Sequence, residues 1–311
     1  MNTNSEKQTK IIGTLITLAG GTFWGLSGAC GQYLFHFEGA NSKWLVSIRL
    51  LIAGLVMVLF YILRDILKNH TLRNAFRIFA DKRDTLEVVL YGIGGMMLCQ
   101  FSYFTCIEYS NAGTATMIQY VAPVLIMITV CIMERKKPLP AELIAALSAL
   151  AGIFLLATHG DWTHLVISGK ALFWGLFSAI AVVFYNLFPK RLLQRFSAPY
   201  LLGFAMLIGG ILLCLLFRPW SIPQPIHAST LIALTAVILL GTIVAFSLYM
   251  QGVKMIGPTK ASLYGCIEPV SAAVISAVWL KSSFELLDIL GFAFVLSTIF
   301  ILTFSKGKAG E

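Results

Sequence analysis

Glu268 stands near the middle of an apolar run, residues 259–280, that is long enough to span a bilayer, and Pro269 follows it directly. A carboxylate at membrane depth is costly unless it faces a wet cavity or a partner, so it points to ion or substrate handling. Proline removes one backbone donor and frees the carbonyl a turn earlier, which water or a neighbouring helix must then satisfy. Lys260, Tyr264, Glu268 and Ser271 share one face at helical spacing. Glu268 in such a setting can carry a proton or hold a substrate ammonium. The plainer reading is a protonated carboxyl tying two helices together beside a kink.

Arg49 is the second charged side chain inside an apolar run, and it cannot shed its charge. About two turns from the end of its run, it must snorkel outward or pair with a carboxylate or carbonyls. Structural pairing near an outer gate is the first reading, and direct binding of a substrate carboxylate is the second. Other polar and aromatic residues recur at helical spacing on the apolar runs: Trp24 and Gln32; Gln100 and Tyr103; Gln119 and Tyr120; Trp174, Tyr185 and Asn186; Tyr249; and Tyr264. With Glu268 they form the candidate substrate-binding set. Buried amides and hydroxyls demand partners, which a watery cavity or polar substrate provides. Ser27, Ser178, Thr116, Ser247 and Gln251 extend the list, although serines and threonines more often bond to their own or a neighbouring helix.

No catalytic motif accompanies these residues. There is no HExxH, no GxxxxGK[ST] phosphate loop and no GxSxG, so the sequence points to no enzyme, no ATP-driven pump and no cofactor. Cys30, Cys99, Cys106, Cys131, Cys214 and Cys266 show no metal-ligand spacing and read as small buried hydrophobes, with neither disulfide nor metal expected. His36, His70, His159, His164 and His227 fall in loops or at the ends of runs, where a solvated or interfacial role is expected.

The elements that must position these residues are membrane helices. Hydrophobic residues make up 58% of the 311 and charged residues only 12%, about half the charge of a soluble domain. The fold class expected is all-α integral membrane, with ten transmembrane helices near 11–35, 43–63, 86–106, 112–132, 140–158, 169–188, 198–217, 230–253, 259–280 and 284–304. The first is read as an uncleaved helix rather than a signal peptide. The net charge of +9 sits in short loops, which makes it a topology signal and not a nucleic-acid surface. With the N-terminus inside, 18 of the Lys and Arg residues fall on the cytoplasmic side and Lys43, Lys170, Arg218 and Lys281 on the other. Both termini are therefore expected in the cytoplasm, the chain being multi-pass in a bacterial cell membrane. Within the loop 64–87, Leu72, Phe76 and Phe79 suit either an in-plane interfacial helix or a solvated connector.

The two halves echo each other. Phe23-Trp24-Gly25 recurs as Phe173-Trp174-Gly175, and the run 115–124 aligns with 261–270, setting Pro123 over Pro269. Five helices per half is an odd number, so the second half enters the membrane from the opposite side. Residues 11–158 and 169–304 are thus expected to be inverted five-helix repeats, a common build of secondary transporters. In these residues, with Arg49, Met133-Glu134 and Glu268-Pro269-Val270, the chain resembles the EamA-type transporters of the drug/metabolite transporter superfamily. The resemblance covers essentially the whole chain. It implies a ten-helix inverted fold that exports or exchanges small metabolites by alternating access. The chain departs from the pattern at Lys281, where a Glu often closes the ninth helix.

The expected function is a secondary transporter of small polar or amphipathic metabolites, amino acids leading, with the proton as candidate coupling ion and the bilayer as surroundings. A homodimer stays open. The alternative class is a membrane receptor or accessory subunit that binds a ligand without moving it.

Overall fold

The computed structural model describes residues 3–69, 74–161, 165–224, 226–256, 261 and 264–308, with side chains from 8 to 67, within the internal stretches, and up to 301. Lys260, His70, Leu72, Trp162 and His164 lie outside them. Among the described residues the chain is all-helical: α1 Thr3–His36, α2 Ser42–Asn69, α3 Lys82–Glu108, α4 Ala112–Glu134, α5 Pro140–Thr158, α6 Gly169–Arg195, α7 Ala198–Phe217, α8 Ala228–Ile256, α9 Ile267–Trp279 and α10 Leu286–Lys308. The first eight are long and apolar enough to cross a membrane, and Ile267–Trp279 and Leu286–Ile301 of α9 and α10 are apolar as well. Polar side chains fix several starts: the Asn111 carbonyl accepts from Thr114 N at 2.8 Å, and Ser168 Oγ accepts from Ala171 N at 3.1 Å. Left-handed residues end four helices, namely Arg135, His159, Arg218 and Lys281.

The helices pack in a definite pattern. α1 lies against α8 and α9, while α6 lies against α3 and α4; α2 pairs with α7, and α5 with α10. Close approach depends on small residues. A methyl group at Gly25 would meet Ser271 Oγ, Ala272 N and the Glu268 carbonyl, so any side chain there would push α1 away from the Glu268 turn. Gly210 plays the same part where α7 crosses Leu51 of α2.

Four irregularities shape the centre. α4 breaks at Tyr120 and Val121, just before Pro123, and the chain turns again at Cys266, just before Glu268 and Pro269. α3 and α8 each contain a π-helical stretch, Tyr91–Met97 and Ala236–Val244. Such stretches rotate the residues that follow them and recur at functional sites. Of the face expected for Lys260, Tyr264, Glu268 and Ser271, Lys260 lies outside the described residues, and the turn at Cys266 falls between Tyr264 and Glu268.

The connector after α2 is not an in-plane helix over its described part. It forms a short 3-10 turn, Arg77–Phe79, held down on α7. Tyr200 Oη accepts from Ile78 N at 3.3 Å and donates to the Ala75 carbonyl at 2.9 Å, while Phe79 packs edge-on against Phe204. His159 is likewise more than solvated: it meets Asp288 at 2.9 Å and Glu285 at 3.4 Å, tying the end of α5 to the head of α10.

Candidate functional site

Two adjoining cavities occupy the centre of the bundle and share Trp24, Gln119, Val182, Asn186, Tyr249 and Glu268 as lining residues. The first, about 450 Å³, runs from Glu268 past Tyr120 and Pro123 to Cys131 and Glu142, at the junction of α4 and α5. The second, about 310 Å³, runs from Glu268 past Tyr103 and Tyr185 to Ser27, Gln100 and Arg49. Each is of a size that holds a small metabolite.

Glu268 begins the first turn of α9, half-buried, and its exposed part faces both cavities. Tyr120 Oη lies 3.1 Å from Glu268 Oε2 and 3.2 Å from the Gly265 carbonyl. Pro269 lacks the N–H that would otherwise reach the Gly265 carbonyl, so the hydroxyl from α4 stands in for it. One hydroxyl proton cannot serve both acceptors fully. An ionised Glu268 takes it, whereas a protonated Glu268 can donate to the Tyr120 oxygen and leave the hydroxyl proton for Gly265. The broken turn of α9 is therefore wired to the proton on Glu268 through a residue of the broken turn of α4.

The remaining wall is aromatic and amide-bearing. Trp24 packs against Phe246 and Tyr249, each with ring centroids 5.0 Å away. Tyr185 stacks on Tyr91 at 5.7 Å. Tyr103 Oη shares a hydrogen bond with Thr116 Oγ1 at 2.8 Å, and Asn186 Nδ2 donates to the Val182 carbonyl at 2.8 Å. Gln119 Nε2 lies 3.9 Å from Cys99 Sγ. Trp24, Gln100, Tyr103, Gln119, Tyr120, Tyr185, Asn186, Tyr249 and Glu268 thus converge on the cavities.

Three candidates do not. Gln32 sits outside both cavities, 3% exposed. Its Oε1 accepts from Ala112 N and Ser276 Oγ at 2.9 Å each, and its Nε2 donates to Ser282 Oγ at 2.9 Å, zipping α1 to α4 and α9. Trp174 lines neither cavity; its ring joins Phe101, Phe173 and Phe177. Tyr264 precedes the Cys266 turn and lines neither. Ser247 and Gln251 are exposed on the outer face of α8.

The comparisons agree with this architecture. The profile of the EamA-like transporter family matches residues 11–158 and again residues 169–304. The chain belongs to the EamA-like transporter family. Among relatives of this EamA-like transporter, the uncharacterized inner membrane transporter YicL of Salmonella typhimurium is 35% identical over 95% of this chain and 96% of its own. The uncharacterized transporter YetK of Bacillus subtilis is 24% identical over 72% of this chain and 70% of its own. A crystal structure of a protein with 17% identity shares the fold at a TM-score of 0.64, covering 96% of this chain and 99% of that one.

Some lining residues of this family member escape sequence reasoning. Cys99 and Cys266 read as core filler yet line the cavities. Met96, Phe246 and Met250 are apolar, and their only sequence signal is apolarity. The π-helical stretches that turn them inward leave no mark in the periodicity.

Proposed function

We propose that the protein is a secondary active transporter that exports or exchanges small metabolites, amino acids leading, by alternating access. One observation carries the reading: an ionisable carboxylate on the shared wall of two cavities, hydrogen-bonded to the turn of a second broken helix. A group that gains or loses a proton there changes which backbone carbonyl is satisfied, and so favours one helix arrangement over another. The family membership supports transport over a receptor that binds without moving its ligand.

The reading extends to architecture. Residues 11–158 and 169–304 form inverted five-helix repeats, with both termini in the cytoplasm of a bacterium. Supporting this, Pro123 and Pro269 stand 146 residues apart, as do the broken turns at Tyr120 and Cys266 and the left-handed caps Arg135 and Lys281. The packing of α1 on α8 and α9 mirrors that of α6 on α3 and α4. In that orientation the first cavity leads from Glu268 to the cytoplasmic ends of α4 and α5, whereas the Gln32 zipper closes the outer side. The residues on the cavities, Trp24, Gln100, Tyr103, Gln119, Tyr120, Tyr185, Asn186, Tyr249 and Glu268, form the substrate path, and Gln32 the outer gate.

Uptake and efflux of labelled amino acids in proteoliposomes, with and without a pH gradient, tests the function. Gradient-driven accumulation of at least one of them is expected. Binding without movement for every one would sink the transport reading in favour of a receptor.

A further inference from the structure

Arg49 is 3% exposed, on the wall of the second cavity. Its Nε donates to Thr242 Oγ1 at 3.0 Å and its Nη1 to Gln100 Oε1 at 3.1 Å, and its guanidinium lies 4.6 Å from the centroid of the Phe104 ring. Every one of these partners is uncharged. A guanidinium has five N–H donors, and the remaining three find no acceptor among the described residues. No carboxylate there approaches within 4.0 Å, Glu268 included, although Glu268 lines the same cavity. A buried cation whose direct partners are all neutral is costly, so an anion entering the cavity would find it ready to pair. Ser27 also lines this cavity, but its Oγ is buried against Gly241 of α8.

The surroundings hold the fork ready. Thr242 sits in the π-helical stretch of α8 and passes its own proton to the Val237 carbonyl at 3.0 Å, leaving its oxygen free to accept from Arg49. Gln100 follows the π-helical stretch of α3. Both neutral partners are thus set by the two irregular helices, and the planar guanidinium is oriented before any ligand arrives. A planar fork with parallel N–H groups suits a carboxylate, which it binds through two bonds at once. Among the described residues the charged groups on this cavity are Arg49 and, toward its junction with the first cavity, Glu268.

We propose that Arg49 is the carboxylate subsite of the cavity, so that the transported metabolite is a small carboxylate bound head-first against α2 and α3. An α-amino acid is one such acid, with its carboxylate on Arg49. This rests on the transport reading only for the word "transported"; the binding site stands by itself. Selectivity then has a simple source. The acid end is fixed by charge and geometry, while the side chain lies among Trp24, Phe246 and Tyr249, which can accept apolar groups of several shapes.

The test is calorimetric titration of the purified full-length protein in detergent with the twenty L-amino acids, lactate and phenyllactate, followed by the carboxamide of each acid that binds. Wild type is expected to bind at least one of the acids, and its carboxamide at least about tenfold more weakly. Arg49→Gln should lose the acid by about tenfold or more while holding the carboxamide within about threefold of wild type. Should Arg49→Gln fail to fold, Arg49→Lys keeps the charge without the fork and should still lose the acid preferentially. Equal binding of acid and carboxamide by wild type overturns the subsite, as does a failure of every acid to bind or an Arg49→Gln protein that binds the acid as wild type does. A protein that binds acids in this Arg49-dependent manner yet moves none in proteoliposomes overturns the transport reading and leaves the subsite standing.

Discussion

Replacing Gln32 by Leu should open the outer side of the bundle. Its amide makes three hydrogen bonds that join α1 to the head of α4, to α9 and to the segment after it. One of the donors, Ala112 N, belongs to the first turn of α4, where no intrahelical acceptor exists, and Ala112 is fully buried. Hydrogen bonds between membrane helices contribute about 0.6 kcal/mol each, so three come to roughly 2 kcal/mol. If the bonds exist only while the outer side is closed, their loss shifts the closed-to-open ratio about 30-fold. The readout is the rate at which a membrane-impermeant maleimide, applied outside intact cells whose protein lacks its native cysteines, modifies a cysteine placed at Phe246, which lines the second cavity. Labelling should quicken by about 10- to 30-fold in the Gln32→Leu background at unchanged expression. An unaltered labelling rate in a well-folded variant would refute Gln32 as the closure, and with it the assignment of the closed side.

Three further outcomes follow from the same contacts. Tyr120→Phe removes a hydroxyl shared by Glu268 and the Gly265 carbonyl; a bond to an ionised group amounts to about 1.5–3 kcal/mol, so transport should slow by roughly tenfold or more, and a rate within twofold of wild type would break the link. Pro123→Ala and Pro269→Ala restore N–H groups aimed at the carbonyls of Gln119 and Gly265, so each should straighten its helix and slow transport more than it lowers expression; normal transport in both would make the prolines dispensable kinks. Glu38, in the loop between α1 and α2, is held down to about 2 by hydroxyls of Ser229, Thr230 and Tyr33. Because its folded value lies below the ordinary value of about 4.3, the tie stabilises above that pH and is lost as pH falls toward 2. Glu38→Gln should thus lower the melting temperature at pH 6 and progressively less below pH 4, and a difference that persists unchanged at pH 3 would contradict this origin.

Much of the site could be read from residue types, while its geometry could not. Glu268 followed by Pro269 is a costly pair in an apolar run, and cost is visible in sequence. The echo of Pro123 and Pro269 located both broken turns. Depth along a helix and the facing neighbour are not visible. Gln32 and Gln119 look alike by type and spacing, yet one seals an interface and the other faces the cavity. Trp174 repeats the motif around Trp24, but α6 turns it into an aromatic cluster. Arg49 stood out by charge, but the neutrality of its partners depends on Thr242 and Gln100, 193 and 51 residues away. The two π-helical stretches that bring those partners inward are departures from the periodicity on which helix reading rests.

The central claim is that the proton on Glu268 drives the cycle, and Glu268→Gln in proteoliposomes tests it most directly. The amide keeps the size of the side chain and its reach to Tyr120 but holds no exchangeable charge. The variant should still exchange labelled amino acid across the membrane at equal concentrations, and should lose accumulation driven by a pH gradient. Loss of binding itself would instead make Glu268 a ligand for a substrate ammonium. Accumulation at the wild-type rate with the wild-type pH dependence would contradict both roles and leave Glu268 a structural tie.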